Sequence, residues 1–129
     1  MPTRRHVDPH ELRTAIAAVR PWLDDETRQP ARSDLAAAVR LSLRTLEGIA
    51  PGRSVEVRVP PFAAVQCVAG PEHIRGTPPN IVETDPRTWL LLATGHLSWP
   101  DALDSGRVDA SGPRADVSRW LPLVDRDAR

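Results

Sequence analysis

The sequence has one cysteine and four histidines, the residue types that form a thiol nucleophile and its base. Cys67 with His73 or His96 has the residue types of a nucleophile and its base, but no Asp or Asn is placed to orient such a pair and no nucleophile-elbow motif occurs. Cys67 also lies in an apolar run, which is typical of an inert buried thiol. The sequence therefore predicts a protein that is not an enzyme.

His6 and His10 are four residues apart, on either side of Asp8, and could nominally bind a metal ion. His6 precedes Asp8, which has the residue type and position of a helix N-cap, so the two imidazoles need not share a helical face. A zinc site needs three or four ligands, and no third ligand lies nearby. We expect no metal and no other cofactor.

The stretch "HIRGTPPN" is the most unusual polar segment. Arg75 beside Gly76 would let a guanidinium and the backbone approach an anionic head group, with Thr77 and Asn80 adding hydrogen bonds. The alternative is a structural loop, because Gly and Pro are primarily turn formers and the arginine would pair with a nearby carboxylate. The pattern favours the loop and leaves the head-group site open.

The stretch "TWLLLATGHLSW" holds two of the four tryptophans in a chain with one Phe and no Tyr. Its helix has apolar residues around most of its circumference, so it must be covered on nearly every side. Large aromatic side chains usually fill the core of a small domain. They could equally wall a cavity that holds an apolar ligand, and the two interpretations are compatible.

Composition bounds the class of protein. The 129 residues suit one domain spanning 1–129, and seventeen basic residues balance seventeen acidic ones. A neutral chain with no sustained basic run is a poor candidate for nucleic-acid binding. The N-terminal stretch has no long apolar run, so we expect neither a signal peptide nor stable insertion into a membrane. A single cysteine cannot form an internal disulfide, which favours the cytoplasm.

Two helices come first. Asp8 with Pro9 and Glu11 marks the start of "PHELRTAIAAVRPWL", and Pro21 is expected to kink or end this helix. Ser33 is predicted to cap the second helix, "DLAAAVRLSLRTLEG".

The hydrophobic period then changes from helix to strand. "SVEVRVP" alternates Val55, Val57 and Val59 with charged residues, so the valines should face the helices. Pro60 and Pro61 suit a hairpin turn or an edge break before the apolar strand "PFAAVQCVAG", and "NIVET" is a third short strand.

The last part of the chain alternates short helices and a strand. Thr84 or Asp85 caps "PRTWLLLAT", Gly95 ends it, and Ser98 caps the next helix, which ends at Gly106. A strand, "RVDASG", and a final helix, "ADVSRWLPLV", complete the order. The fold class is α+β, with a small, mostly antiparallel sheet covered by helices and two helices before it.

The order and spacing of these elements resemble a known family. "WLLLATGHLSWPDALDSGRVDASGPRADVSRWLPL" resembles the second half of the sterol carrier protein domain, and "VEVRVPPFAAVQCVAGPEHIRGTPPNIVETDP" is similar to the hairpin and third strand of its compact bacterial branch. The resemblance runs from about Ser33 to Val124. It implies a sheet covered by helices, an enclosed apolar cavity or tunnel for lipid-like molecules, and no catalytic residues.

We therefore expect a non-catalytic carrier for a fatty acid, an acyl-CoA or a sterol, bound between the sheet and the helices. Arg75 is the candidate that would orient the head group. The predicted ligand-binding residues are Phe62, Val65, Arg75, Ile81, Trp89, Leu92, Trp99 and Leu103.

Two alternatives remain. The chain could be an interaction or oligomerisation module without an open cavity, forming a homodimer through its first helix. The domain also resembles the C-terminal part of bacterial thiol-dependent maleylpyruvate isomerases, which implies a possible role as accessory partner of such an enzyme.

Overall fold

The computed structural model describes residues 6–71 and 79–125, and these residues form helices and a single sheet. The helices are α1 (Pro9–Asp24), α2 (Arg32–Ile49), α3 (Pro86–Ala93) and α4 (Trp99–Asp104). The strands are β1 (Val55–Val59), β2 (Ala63–Cys67), β3 (Asn80–Thr84) and β4 (Val108–Ser111). The predicted α+β class, with two helices before the sheet, is confirmed.

Side-chain caps begin three of the helices where the sequence predicts. Asp8 accepts the His10 N–H at 2.9 Å at the start of α1. Asp85, rather than Thr84, caps α3, and Ser98 caps α4. Gly95 follows α3 with a positive φ of 79°, which an L side chain rarely adopts. These local signals fix the boundaries of α3 without reference to the rest of the fold.

The predicted start of α2 is wrong, and one of the two outcomes predicted for Pro21, the end of α1, does not occur. Helix α2 begins one residue before Ser33, and its N-cap is Ala31, which has no side chain able to accept the hydrogen bond. Helix α1 continues through Pro21 to Asp24. The Asp25 N–H bonds to the Pro21 carbonyl at 2.9 Å and closes the last turn, and the burial of Trp22 in that turn offsets the lost backbone donor.

The predicted final helix is also wrong, because only a single 3-10 turn forms, at Ser118–Trp120. The Asp116 carboxylate accepts the Ser118 N–H at 2.9 Å, which favours a local turn over a helix. Pro122 restricts the residue before it, and Leu121 has extended backbone angles. The apolar residues that suggested a helix are instead packed against the core along an irregular segment.

The four strands are ordered β2-β1-β3-β4. The outer pairs, β1 with β2 and β3 with β4, are antiparallel, whereas the central pair, β1 with β3, is parallel. Val57 lies between Val65 on one neighbour and Val82 on the other. The sheet is therefore mostly antiparallel, as predicted, but mixed at its centre.

The two faces of the sheet differ as the alternation in β1 predicts. Val55, Val57 and Val59 are fully buried and belong to the same core cluster as the buried residues of α1, α2 and α3. Glu56 and Arg58 point to the other face, where they form an ion pair. The predicted inward orientation of the valines is confirmed. A one-residue slip of this strand would have buried the two charges instead.

The end of the hairpin is held by unusual backbone contacts. Val68 has a φ of +66°, its N–H bonds to the Ala50 carbonyl at 2.6 Å, and its carbonyl accepts the Ser54 hydroxyl at 2.8 Å. A Cβ on Gly52 would overlap the backbone of Val68. This junction holds the end of α2 against the start of β1 and the end of β2. Within the described ranges, no helix has both the length and the apolar character needed to cross a membrane.

Candidate ligand-binding site

Trp89 lies at the centre of the core and forms a hydrogen bond there. Its side chain has no accessible surface, and its indole N–H donates to the Ser42 hydroxyl on α2 at 2.8 Å. That hydroxyl in turn donates to the Ala38 carbonyl at 2.7 Å. An interior space large enough for a water molecule would leave part of its wall accessible. Trp89 and the nearly inaccessible Leu92 are therefore packed against protein in this structure.

Helix α3 is covered on all sides, as its apolar circumference requires, and protein supplies the cover. At its N-terminal end the Arg87 guanidinium donates to the carbonyls of Trp22 and Leu23, at 3.2 and 3.0 Å. At its C-terminal end the Ala93 carbonyl accepts the Leu123 N–H at 2.8 Å. The helix is thus fastened to the end of α1 and to the C-terminal segment.

Phe62 and Val65 lie at a more open place, where α2 crosses the edge strand β2. Val65 pairs with Val57, so it faces the helices, yet both Phe62 and Val65 are only half-buried. The Arg32 guanidinium lies 5.1 Å from the centroid of the Phe62 ring, and Leu35, one turn further along α2, is also half-buried. We call these four residues the α2–β2 seam.

The other predicted ligand-binding residues do not join this seam. Ile81 pairs with Glu56, which places it on the opposite face of the sheet from Val65. Trp99 and Leu103 belong to α4, which packs on β4, the strand at the other edge of the sheet. Three inter-strand spacings separate the two edges, about 14 Å. The predicted residues that lie within the described ranges are therefore spread over both faces and both edges of the sheet.

Of the polar residues that were predicted to contact a head group, only Asn80 lies within the described ranges. Arg75 and Thr77 lie outside the described residues. Asn80 is buried, its amide N–H donates to the Ser54 carbonyl at 2.7 Å, and its amide oxygen accepts the Arg114 N–H at 2.8 Å. Both ends of this amide hold backbone groups, so Asn80 has a structural role in this fold.

Of the residues that suggested catalysis, the two that the structure describes, Cys67 and His96, have separate surroundings. Cys67 is fully buried, and that burial, with a smaller contribution from Glu47, raises the pKa of its thiol to about 12. His96 lies elsewhere, with its Nδ1 2.7 Å from the Thr94 hydroxyl and its Nε2 3.7 Å from the Asp24 carboxylate. His73 lies outside the described residues. In the described part of the chain, no three His, Cys, Asp or Glu side chains are grouped so as to hold a metal ion.

The sequence analysis missed a groove along the outer side of α2. Two adjoining concavities, of about 390 and 360 Å³, lie between α2 and the segment that precedes α1. They share His6, Val7, Arg44 and Glu47 in their walls. The signal was present in the sequence, because small and apolar residues recur at helical spacing on the otherwise polar side of α2.

A family model described as a bacterial SCP ortholog, where SCP denotes sterol carrier protein, matches residues 31–123. The chain belongs to this family. The match begins at the N-cap of α2 and includes all four strands, so α1 lies outside it. Members of this family are in general non-catalytic carrier domains. No curated protein matches the chain.

Proposed function

We propose that this bacterial SCP ortholog is a non-catalytic, cytoplasmic carrier that binds one lipid-like molecule at the α2–β2 seam. The observation that carries the proposal is the family match over residues 31–123. The match includes all four residues of the seam, and the family consists in general of carrier domains. The seam is supported by its half-buried apolar side chains, which continue into the core. The lone Cys67 cannot form an internal disulfide, which supports the proposed location in the cytoplasm.

The affinity of such a site follows from the apolar surface that the ligand loses. Each buried methylene contributes about 0.8 kcal/mol, so a chain of about sixteen carbons contributes about 13 kcal/mol when it is fully covered. Association costs at least about 4 kcal/mol. The difference is at most about 9 kcal/mol, so the dissociation constant is no lower than a few tenths of a micromolar. Partial cover at the seam would move this value into the micromolar range.

Trp89 reports how deeply the ligand enters. Helices α2 and α3 are joined by the hydrogen bond from Trp89 to Ser42, which lies about two turns along α2 from Leu35 of the seam. A ligand that reaches the core must separate these helices and change the surroundings of the indole. A ligand that stays at the seam leaves this bond intact and affects Phe62 first.

A cation is already positioned to meet an anionic head group at the seam. The guanidinium of Arg32 lies over the ring of Phe62 and is exposed, so a carboxylate or a phosphate at the mouth of the seam would pair with it. Arg75 remains the second candidate for this role. Arg32→Gln and Arg75→Gln, compared for a fatty acid and for an uncharged sterol, separate the two, because only the anionic ligand should lose affinity.

The test uses a matched pair of substitutions. Val65 and Ile81 are both half-buried strand residues, but they lie on opposite faces of the sheet. Val65→Thr should weaken the binding of a long-chain fatty acid several-fold, and Ile81→Thr should leave it unchanged. Equal effects, or no binding to the unaltered protein of any fatty acid, acyl-CoA or sterol, would contradict the proposal. Mass spectrometry of lipids extracted from the purified protein would identify a natural ligand.

A further inference from the structure

The outer surface of α2 carries a stripe of small and apolar residues that is only partly covered. Leu41, Thr45 and Gly48 follow at helical spacing, and Leu41 and Thr45 are half-buried, with Leu41 packed against the edge of the core. Ile49, at the end of the helix, is 52% exposed, one of two large apolar side chains that are exposed within the described ranges. Gly48 has open space where a Cβ would lie. The stripe can therefore be approached closely by another helix.

Two opposite charges lie beside this stripe, and neither forms an ion pair with the other or with any other described residue. Arg44 and Glu47 are three residues apart on α2, and both line the groove beside it. An ion pair within the helix would have been possible at this spacing, but the described residues contain none for either side chain.

We propose that a second copy of this chain packs on the outer stripe of α2. When two copies of α2 run antiparallel about a twofold axis near Thr45, Arg44 lies opposite Glu47 of the second copy. The symmetry repeats that pair, so one orientation satisfies four charges. The same arrangement places Leu41 opposite Ile49 of the second copy. This charge complementarity on a single helix face is what identifies the partner as a second copy.

The groove provides the recess for the contact. The exposed side chain of Ile49 from one copy enters the groove of the other, between Val7 and Leu41, in a volume of about 390 Å³. A contact of one helix face is smaller than a standard interface of about 1,600 Å². The dimer should therefore be weak, forming at micromolar concentrations and above. This surface is separate from the α2–β2 seam, so the inference does not depend on lipid binding.

The experiment is sedimentation velocity on lipid-free protein from about 1 to 500 µM, a range that covers weak interfaces. Arg44→Glu should raise the dimer dissociation constant at least tenfold, because it places like charges opposite each other. The double variant Arg44→Glu with Glu47→Arg, in which the two charges are exchanged, should have a dimer dissociation constant within about threefold of that of the unaltered protein. Gly48→Trp should abolish the dimer. Gly48→Ala is the matched control, since it adds one methyl into open space and should leave the dimer in place.

Three results would overturn the inference. The unaltered protein could remain a monomer throughout the concentration range. A dimer could persist unchanged in both Arg44→Glu and Gly48→Trp, which would place the interface elsewhere, for instance on α1. The swapped pair could fail to restore association although circular dichroism shows that each variant is folded.

Discussion

Alkaline pH should destabilise this protein through one side chain, Cys67. The sequence contains no Lys and no Tyr, so between the α-amino group, near pH 8, and arginine, above pH 12, only this thiol titrates. Burial raises its pKa from the ordinary value of 9.0 to about 12, and Glu47 adds a smaller repulsion. In the unfolded chain the thiol is exposed and ionises at its ordinary value.

The sign and size of the effect follow from proton linkage. Above pH 9 the unfolded chain releases a proton that the folded chain keeps, so the free energy of unfolding falls as pH rises. The contribution is complete below pH 9 and is lost as the pH rises through the folded value of about 12. One proton corresponds to a slope of about 1.4 kcal/mol per pH unit.

Urea unfolding followed by circular dichroism, at several pH values between about 8 and 11, measures this slope. The variant Cys67→Ala provides the control. It loses stability at neutral pH because the packing of the thiol is removed, but its free energy of unfolding should stay nearly constant over the same pH range. A flat profile in the unaltered protein, or an equal slope in the variant, would refute the reasoning, and would mean that Cys67 is accessible to water.

Three further predictions concern stability and use the same denaturant assay. Trp89→Ala should cost about 3–5 kcal/mol, and a change near zero would show that the indole is not in the core. A double-mutant cycle combines Trp89→Phe with Ser42→Ala, and both substitutions break the same hydrogen bond. The double variant should therefore lose about 1 kcal/mol less stability than the sum of the two single losses. Strictly additive losses would exclude that bond. Gly52→Ala should destabilise by more than about 1 kcal/mol because of its backbone angle and its contact with the hairpin, whereas Gly48→Ala should stabilise by about 0.5–1 kcal/mol. The same sign for both would contradict the structure.

The fold was largely predictable because its signals are local. The N-caps Asp8, Asp85 and Ser98 and the alternation around Val57 depend only on neighbouring residues, and each was confirmed. The prediction of a final helix was wrong because the helical spacing of apolar residues does not show that Asp116 and Pro122 favour a turn. The parallel pairing of β1 with β3 has no local signal either.

The candidate site was less predictable, because it depends on which strands are neighbours. Ile81 and Val65 look equivalent in the sequence, but the pairing of β1 with both strands places them on opposite faces. Phe62 and Trp99 are separated by the width of the sheet once β2 and β4 become its edges. Period-two alternation gives the face of a residue within its own strand and carries no information on its distance from residues in other strands.

Isothermal titration calorimetry of the lipid-free protein with a long-chain fatty acid, at two temperatures, tests the carrier function most directly. The account predicts one ligand per chain, a dissociation constant in the micromolar range, and a negative change in heat capacity, which marks the burial of apolar surface. Binding should also raise the melting temperature by mass action. If neither a fatty acid, an acyl-CoA nor a sterol gives saturable binding, the α2–β2 seam is an edge of the core and the carrier function is wrong.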